Sequence, residues 1–157
     1  MYLIIDGSAA LEGGKNGAVQ WLCEYVVDGM LQVGDTVTIW IAGSQAKQVL
    51  AESIISLEQK ETVKALIRSL STTDAAADFE GALREAGRLD AAVRERRMTY
   101  TLIVCGISAG YSSFTGSGET AGLLRYSRVQ NFPGWQAVTV SPGAGPAVKS
   151  AAASFMN

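Results

Sequence analysis

The chain opens on an uninterrupted apolar run, Tyr2-Leu3-Ile4-Ile5, that ends in Asp6-Gly7-Ser8. A short apolar run closed by a polar turn predicts a strand buried on both faces, delivering a polar loop at its carboxyl end. Ligands of open α/β sheets bind at that end, so Asp6, Gly7 and Ser8 are the first candidate site residues. After a glycine-rich lead-in over residues 11–15, the period becomes helical at Val19, Leu22, Cys23, Val26 and Met30, which predicts an amphipathic helix with a wide buried face. Trp21 and Tyr25 lie one turn apart on its flank and are expected to pack against a neighbouring element. Residues 36–42, rich in β-branched and aromatic side chains, predict a second strand. Residues 46–55 alternate less cleanly, with Lys47, Glu52 and Ser53 among apolar residues, as in an edge strand that carries charge against pairing with other chains.

Leu57, Val63, Leu66, Ile67 and Leu70 mark a second helix, with Glu58 and Glu61 early and Arg68 late, matching the helix dipole. Phe79, Ala82, Leu83, Ala86, Leu89 and Val93 predict a third helix over 78–96, with Asp78 as its amino-terminal cap and Asp74 as a solvated residue of the loop before it. Residues 100–105 are the most continuously apolar stretch after the first and belong beside it as a central parallel strand. A polar loop over 106–118 holding Ser108, Ser112 and Ser113, a weaker helix over 119–129, a strand over 135–140, a glycine-rich loop over 142–146 and a closing helix on Val148, Ala151, Ala152 and Phe155 complete the chain. Strands alternating with helices imply right-handed crossovers and a three-layer, doubly wound α/β fold. Its sheet is mostly parallel with one antiparallel edge strand, and helices cover both faces. No repeat or linker divides the chain, so residues 1–157 read as a single domain.

Composition narrows the chemistry. With 157 residues, 48% hydrophobic and 18% charged, the chain buries one substantial core without disulfides or metal. Thirteen basic and fifteen acidic residues give a net charge of −2 with no long run of either sign, so nothing attracts nucleic acid electrostatically. The absence of histidine removes the commonest general base and metal ligand. Ser8 has neither a Gly-x-Ser-x-Gly elbow nor a histidine to activate it, and no dinucleotide or Walker-type glycine motif follows a strand. Cys23 and Cys105 lack a Cys-x-x-Cys spacing and read as small buried hydrophobes, reduced in a cytoplasm-like compartment. No stretch is apolar enough to span a bilayer, and the chain begins on a strand rather than a signal core, so a cytoplasmic chain without membrane contact is expected.

The order of elements, the strand ending in Asp6-Gly7-Ser8, and the segment Ala77-Asp78-Phe79-Glu80-Gly81-Ala82-Leu83 together resemble the von Willebrand factor A (vWA) domain family over nearly the whole chain. In that family the first strand ends in Asp-x-Ser-x-Ser, a loop before the third helix supplies a threonine, and the following strand ends in an aspartate; together they hold a divalent cation that a partner protein completes. Asp6 and Ser8 match the first two ligands. Ala10 stands for the second serine, Ala77 or Ala76 for the threonine, and Gly106 for the aspartate. Hard cations need several oxygen ligands, so the resemblance implies a degenerate adhesion site with weak or no magnesium binding at Asp6 and Ser8, and no cofactor. The expected function is non-catalytic protein–protein interaction through the loops over 7–14, 71–77, 107–118 and 141–146, with Asp6, Gly7, Ser8, Asp74, Ser108, Ser112 and Ser113 as partner-binding residues. The alternative is a metal-dependent phosphodiester hydrolase or nuclease of PIN-like type, using Asp6 with other carboxylates.

Overall fold

The computed structural model describes residues 1–92, 101–106, 124–128 and 135–140. Six strands form one sheet: β1 (Tyr2–Asp6), β2 (Thr36–Ala42), β3 (Ala46–Ser53), β4 (Thr101–Gly106), β5 (Leu124–Arg128) and β6 (Trp135–Val140). Their spatial order is β3-β2-β1-β4-β6-β5. β1 lies parallel between β2 and β4, with Ile4 opposite both Trp40 and Ile103, and β4 pairs parallel with β6. Every residue of β1 is buried, as expected of a parallel strand covered on both faces.

The expected antiparallel edge is β3, which pairs with β2. A second one is present at the opposite edge, where β5 runs antiparallel to β6. Residues 124–128 are therefore strand, and the helix expected over 119–129 is wrong there. Leu124-Arg125-Tyr126-Ser127-Arg128 alternates apolar with polar over its first four positions, a period-two signal. Its charges suit an edge strand, and ladder pairing with β6 overrides weak helical propensity.

Helices lie on both faces. One face carries a 3₁₀ turn (Ala9–Gly14), α1 (Lys15–Trp21), a π-helical segment (Leu22–Met30) and α2 (Leu57–Arg68). Leu3, Ile5, Val37, Ile39 and Val104 of the sheet meet Leu22, Val26, Val27, Val63 and Ile67 in the larger core. The expected first helix thus changes hydrogen-bond pattern midway, ending where Leu31 N–H donates to the Val26 carbonyl five residues back at 3.1 Å. Trp21 is fully buried, and Cys23 is buried as expected, its thiol pushed up from the ordinary value chiefly by that burial. Lys64 of α2, although charged, is buried and bridges to Asp28 of the π-helical segment at 2.9 Å and to Glu61 at 2.5 Å.

The other face carries α3 (Phe79–Ala92), whose Phe79, Ala82, Leu83 and Ala86 pack on Tyr2, Ile4, Trp40 and Ala42. Tyr2 and Trp40 meet edge to face, with centroids 5.4 Å apart, and Trp40 Nε1–H donates to Glu85 at 3.0 Å. Two apolar positions leave their expected stripes. Leu57 is 74% exposed because it is the first residue of α2, one step past the Ser56 cap and inside the Ser56–Gln59 capping box. Leu89 is exposed, one turn past the part of α3 that reaches the sheet. Val93, the closing helix and the loops over 107–118 and 141–146 lie outside the described residues.

Candidate functional site

The strand order reverses between β1 and β4: the chain leaves β1 outward to β2 and β3, then returns to β4 on its other side. A reversal of this kind opens a crevice at the carboxyl ends of the two strands, here at Asp6 and Gly106. Asp6 is 1% exposed and Ser8 4%. Asp6 Oδ1 accepts from the Ser8 backbone N–H at 2.8 Å and from Ser8 Oγ–H at 2.6 Å. Ser8 Oγ in turn accepts from Ala10 N–H at 3.4 Å, capping the 3₁₀ turn. A carboxylate gathering donors two residues downstream is the turn-forming use of aspartate.

The loop over 71–78 is laid against this first loop. Asp74 N–H donates to the Gly7 carbonyl at 3.2 Å and Ala9 N–H to the Asp74 carbonyl at 2.8 Å, a one-residue parallel bridge between Ser8 and Asp74. Thr72, itself buried, donates to the Glu12 carboxylate from the same loop. Gly7 N–H donates to the Ala42 carbonyl at 2.9 Å, and a Cβ on Gly7 would lie 2.7 Å from Ile41 Cγ2, so this approach to β2 needs glycine.

This architecture decides the family resemblance at the level of fold. Neither a family model nor a curated protein matches the sequence. Among solved structures, a von Willebrand factor type A protein from Catenulispora acidiphila superposes with a TM-score of 0.50 at 15% identity over 66% of this chain. The fold is von Willebrand factor A-like. Proximal thread matrix protein 1 from the mussel byssus follows at a TM-score of 0.47 and 10% identity, and the type V pili tip protein Mfa5 from Porphyromonas gingivalis at 0.47 and 14%, each over 66% of this chain. The chain spans 24%, 26% and 19% of the lengths of these three proteins, respectively.

In this vWA-like frame, Asp6 and Ser8 stand together at the switch point, whereas Ala10, Ala77 and Gly106 carry no side-chain oxygen. The two acidic residues close enough in sequence to stand in for lost ligands point elsewhere. Asp74 is not a solvated loop residue: it is half-buried, and its Oδ2 accepts from Ser44 N–H at 2.7 Å. Asp78 caps α3 as expected, with Oδ1 accepting from Gly81 N–H at 2.8 Å. Its Oδ2 accepts from Ala46 N–H at 3.1 Å, and its own N–H donates to the Gly43 carbonyl at 2.8 Å. Both carboxylates therefore fasten the β2–β3 turn to the loop before α3. Among the described residues no group of three or more His, Cys, Asp or Glu is placed to hold a metal ion, and Asp6 and Ser8 by themselves offer fewer oxygen ligands than a hard cation takes.

The structure brings Asp6, Gly7, Ser8 and Asp74 into one cluster; Ser108, Ser112 and Ser113 lie outside the described residues. Sequence reading missed the attachment of Asp74 and Asp78 to the hairpin and the contact between Glu12 and Thr72. The position of Asp78 directly before the helical period that starts at Phe79 signalled the cap, but nothing local signals a bond to a residue some thirty positions away. No helix of the described residues is long and apolar enough to cross a membrane.

Proposed function

We propose that this chain is a metal-independent protein-interaction domain that presents the loops at the carboxyl ends of β1 and β2, around Gly7, Ser8 and Asp74, to a protein partner. The observation that carries the reading is the burial of Asp6 with its Oδ1 engaged by Ser8. A carboxylate held in this way organises the loop it sits in. The sites of Asp74 and Asp78, engaged by the hairpin, support the same view. Catalysis of the phosphodiester type needs several carboxylates converging on cations, and these three diverge to different backbone partners. Loops fixed on a rigid sheet suit recognition, and the exposed Ala75 and Ala76 beside Asp74 put a small, accessible surface at their edge.

Thermal unfolding during magnesium, manganese and calcium titrations tests the metal half of the proposal, because a ligand of the folded state raises apparent stability by mass action. The expected result is no saturable rise. A rise that disappears in Asp6→Ala would overturn it and reopen a metal-dependent adhesion site or hydrolase. The interaction half is tested by partner capture on the immobilised chain: binding should survive chelation and be lost in Ala75→Arg, which alters the loop surface without touching Asp6.

A further inference from the structure

A second feature lies beside this cluster, on the α2 side of the sheet, and does not depend on the interaction reading. A cleft of 310 Å³ opens between β3 and the carboxyl-terminal turn of α2, walled by Ile41, Val49, Leu66 and Leu70, with Lys47 and Asp74 on its lining. This volume is at the small end of ligand-binding pockets, which run from about 300 to 1,000 Å³. Ile41, Val49 and Leu66 are only half-buried, so their apolar surface remains available across the cleft.

Lys47 reaches this face because of a β-bulge. Thr36 pairs with Ser53 and Ile39 with Leu50 in regular antiparallel register, but Trp40 pairs with Gln48, leaving Val49 as the extra residue. A one-residue insertion turns every side chain beyond it to the opposite face of the sheet. In the unbulged register Lys47 would stand opposite Ala42, whose side chain belongs to the α3 core. With the bulge it stands opposite Ile41, and Val49 and Leu50 in succession both pack on the larger core. The bulge thus sets a cation beside an apolar wall. The Lys47 ammonium has no hydrogen-bond or ion-pair partner among the described residues. The acidic group on the lining, Asp74, has Oδ2 directed to Ser44 N–H at the hairpin end.

We propose that this cleft binds a compact apolar group carrying one carboxylate: the apolar part lies against Ile41, Val49, Leu66 and Leu70, and Lys47 receives the carboxylate. A free aromatic or aliphatic monocarboxylic acid and the carboxyl-terminal residue of a peptide both present this chemistry. If Lys47 serves only to discourage pairing at the sheet edge, the cleft has no preference for charge.

The test is an amide-resolved NMR titration of the full chain with indole-3-propionate, its neutral amide and tryptamine, each to about 10 mM, where weak binding still registers. The acid should move the signals of Lys47, Val49, Leu66 and Ser71. The amide should bind about threefold more weakly, the scale of one exposed ion pair. Lys47→Glu, at an exposed edge position, should reverse the order so that tryptamine binds better than the acid, and Lys47→Met should bind acid and amide alike. Absence of shifts in these residues, shifts confined to another region, or an acid preference that persists in Lys47→Glu would overturn the proposal. In a second arm, Gly-Ser-Gly-Leu with a free carboxyl group is compared with N-acetyl-leucine. Tighter binding of the peptide identifies a polypeptide terminus as the source, and equal binding identifies a free acid.

Discussion

Asp6 ends the central strand β1 and Asp78 stands directly before α3; both are acceptors for backbone N–H groups, yet they hold different things together. Asp6 accepts from Ser8, two residues on; Asp78 accepts from Gly81 and also from Ala46, 32 residues away, while Asp74 reaches Ser44 across 30 residues. The first bond closes one turn of chain, with little loop-closure entropy to overcome. The others form only once β2 and β3 are in place, and they tie the hairpin to the loop before α3. The same side chain therefore serves as a local turn former at one position and as a tertiary clasp at another, and the effects of mutation should separate them.

Asp6→Ala carries the largest expected loss. It leaves the Ser8 N–H and hydroxyl in a buried site without their acceptor, and removing one side of buried, charge-assisted hydrogen bonds costs about 3 kcal/mol. Urea unfolding followed by tryptophan fluorescence should show that loss, with Asp6→Asn, which keeps an acceptor oxygen, losing about half as much. A loss below about 1 kcal/mol for the alanine variant would mean that the loop is organised by other contacts.

The difference between the aspartates also explains what could be read from the sequence. Asp6 with Ser8, and Asp78 directly before the helical period of α3, are patterns within a single turn of chain, and period and capping chemistry make them visible, as they do the five-residue burial of β1. The larger frame, parallel strands with helices on two faces, followed from the same periodicities. Asp74 looked like solvent because a polar residue in a loop carries no sign of a partner 30 residues back. The second antiparallel edge escaped notice because Leu124–Arg128 is only five residues long, too short for four alternating positions to decide its state without the pairing with β6. The bulge at Val49 is likewise invisible in composition, although it decides which face receives Lys47.

Asp78→Ala should have the next largest effect, about 2 kcal/mol, combining the loss of a helix cap with the loss of the bond to Ala46. Gly81 sharpens the point. A Cβ there would collide with Asp78 Oδ2, so Gly81→Ala should destabilise the chain while Asp78 is present, as the methyl group displaces the cap. In the Asp78→Ala background the collision is gone, and the same substitution should stabilise by about 1 kcal/mol through helix propensity. A double-mutant cycle by urea unfolding reads this change of sign. Additive effects would show that the Asp78 carboxylate does not occupy the space over Gly81.

A fourth aspartate, Asp28, is neither a turn former nor a clasp on backbone: it meets the buried Lys64 ammonium, and Glu61 meets the same cation. The hydrogen bond to Glu61, followed by that to Asp28, raises the Lys64 pKa above its ordinary 10.5. A cation whose folded-state pKa is raised contributes stability that is fully present below the unfolded value and is lost as pH climbs through the folded one. Wild type should therefore exceed Lys64→Met in stability by a constant amount from neutral pH to about pH 10, and the gap should close at higher pH. Because Asp28 and Glu61 are themselves well exposed, at 47% and 63%, solvent screens the pair and the gap should be only about 1 kcal/mol. Melting temperatures of the two proteins across the alkaline range measure it. A gap that stays constant through the Lys64 titration would assign the stabilisation to packing of the lysine stem rather than to its charge.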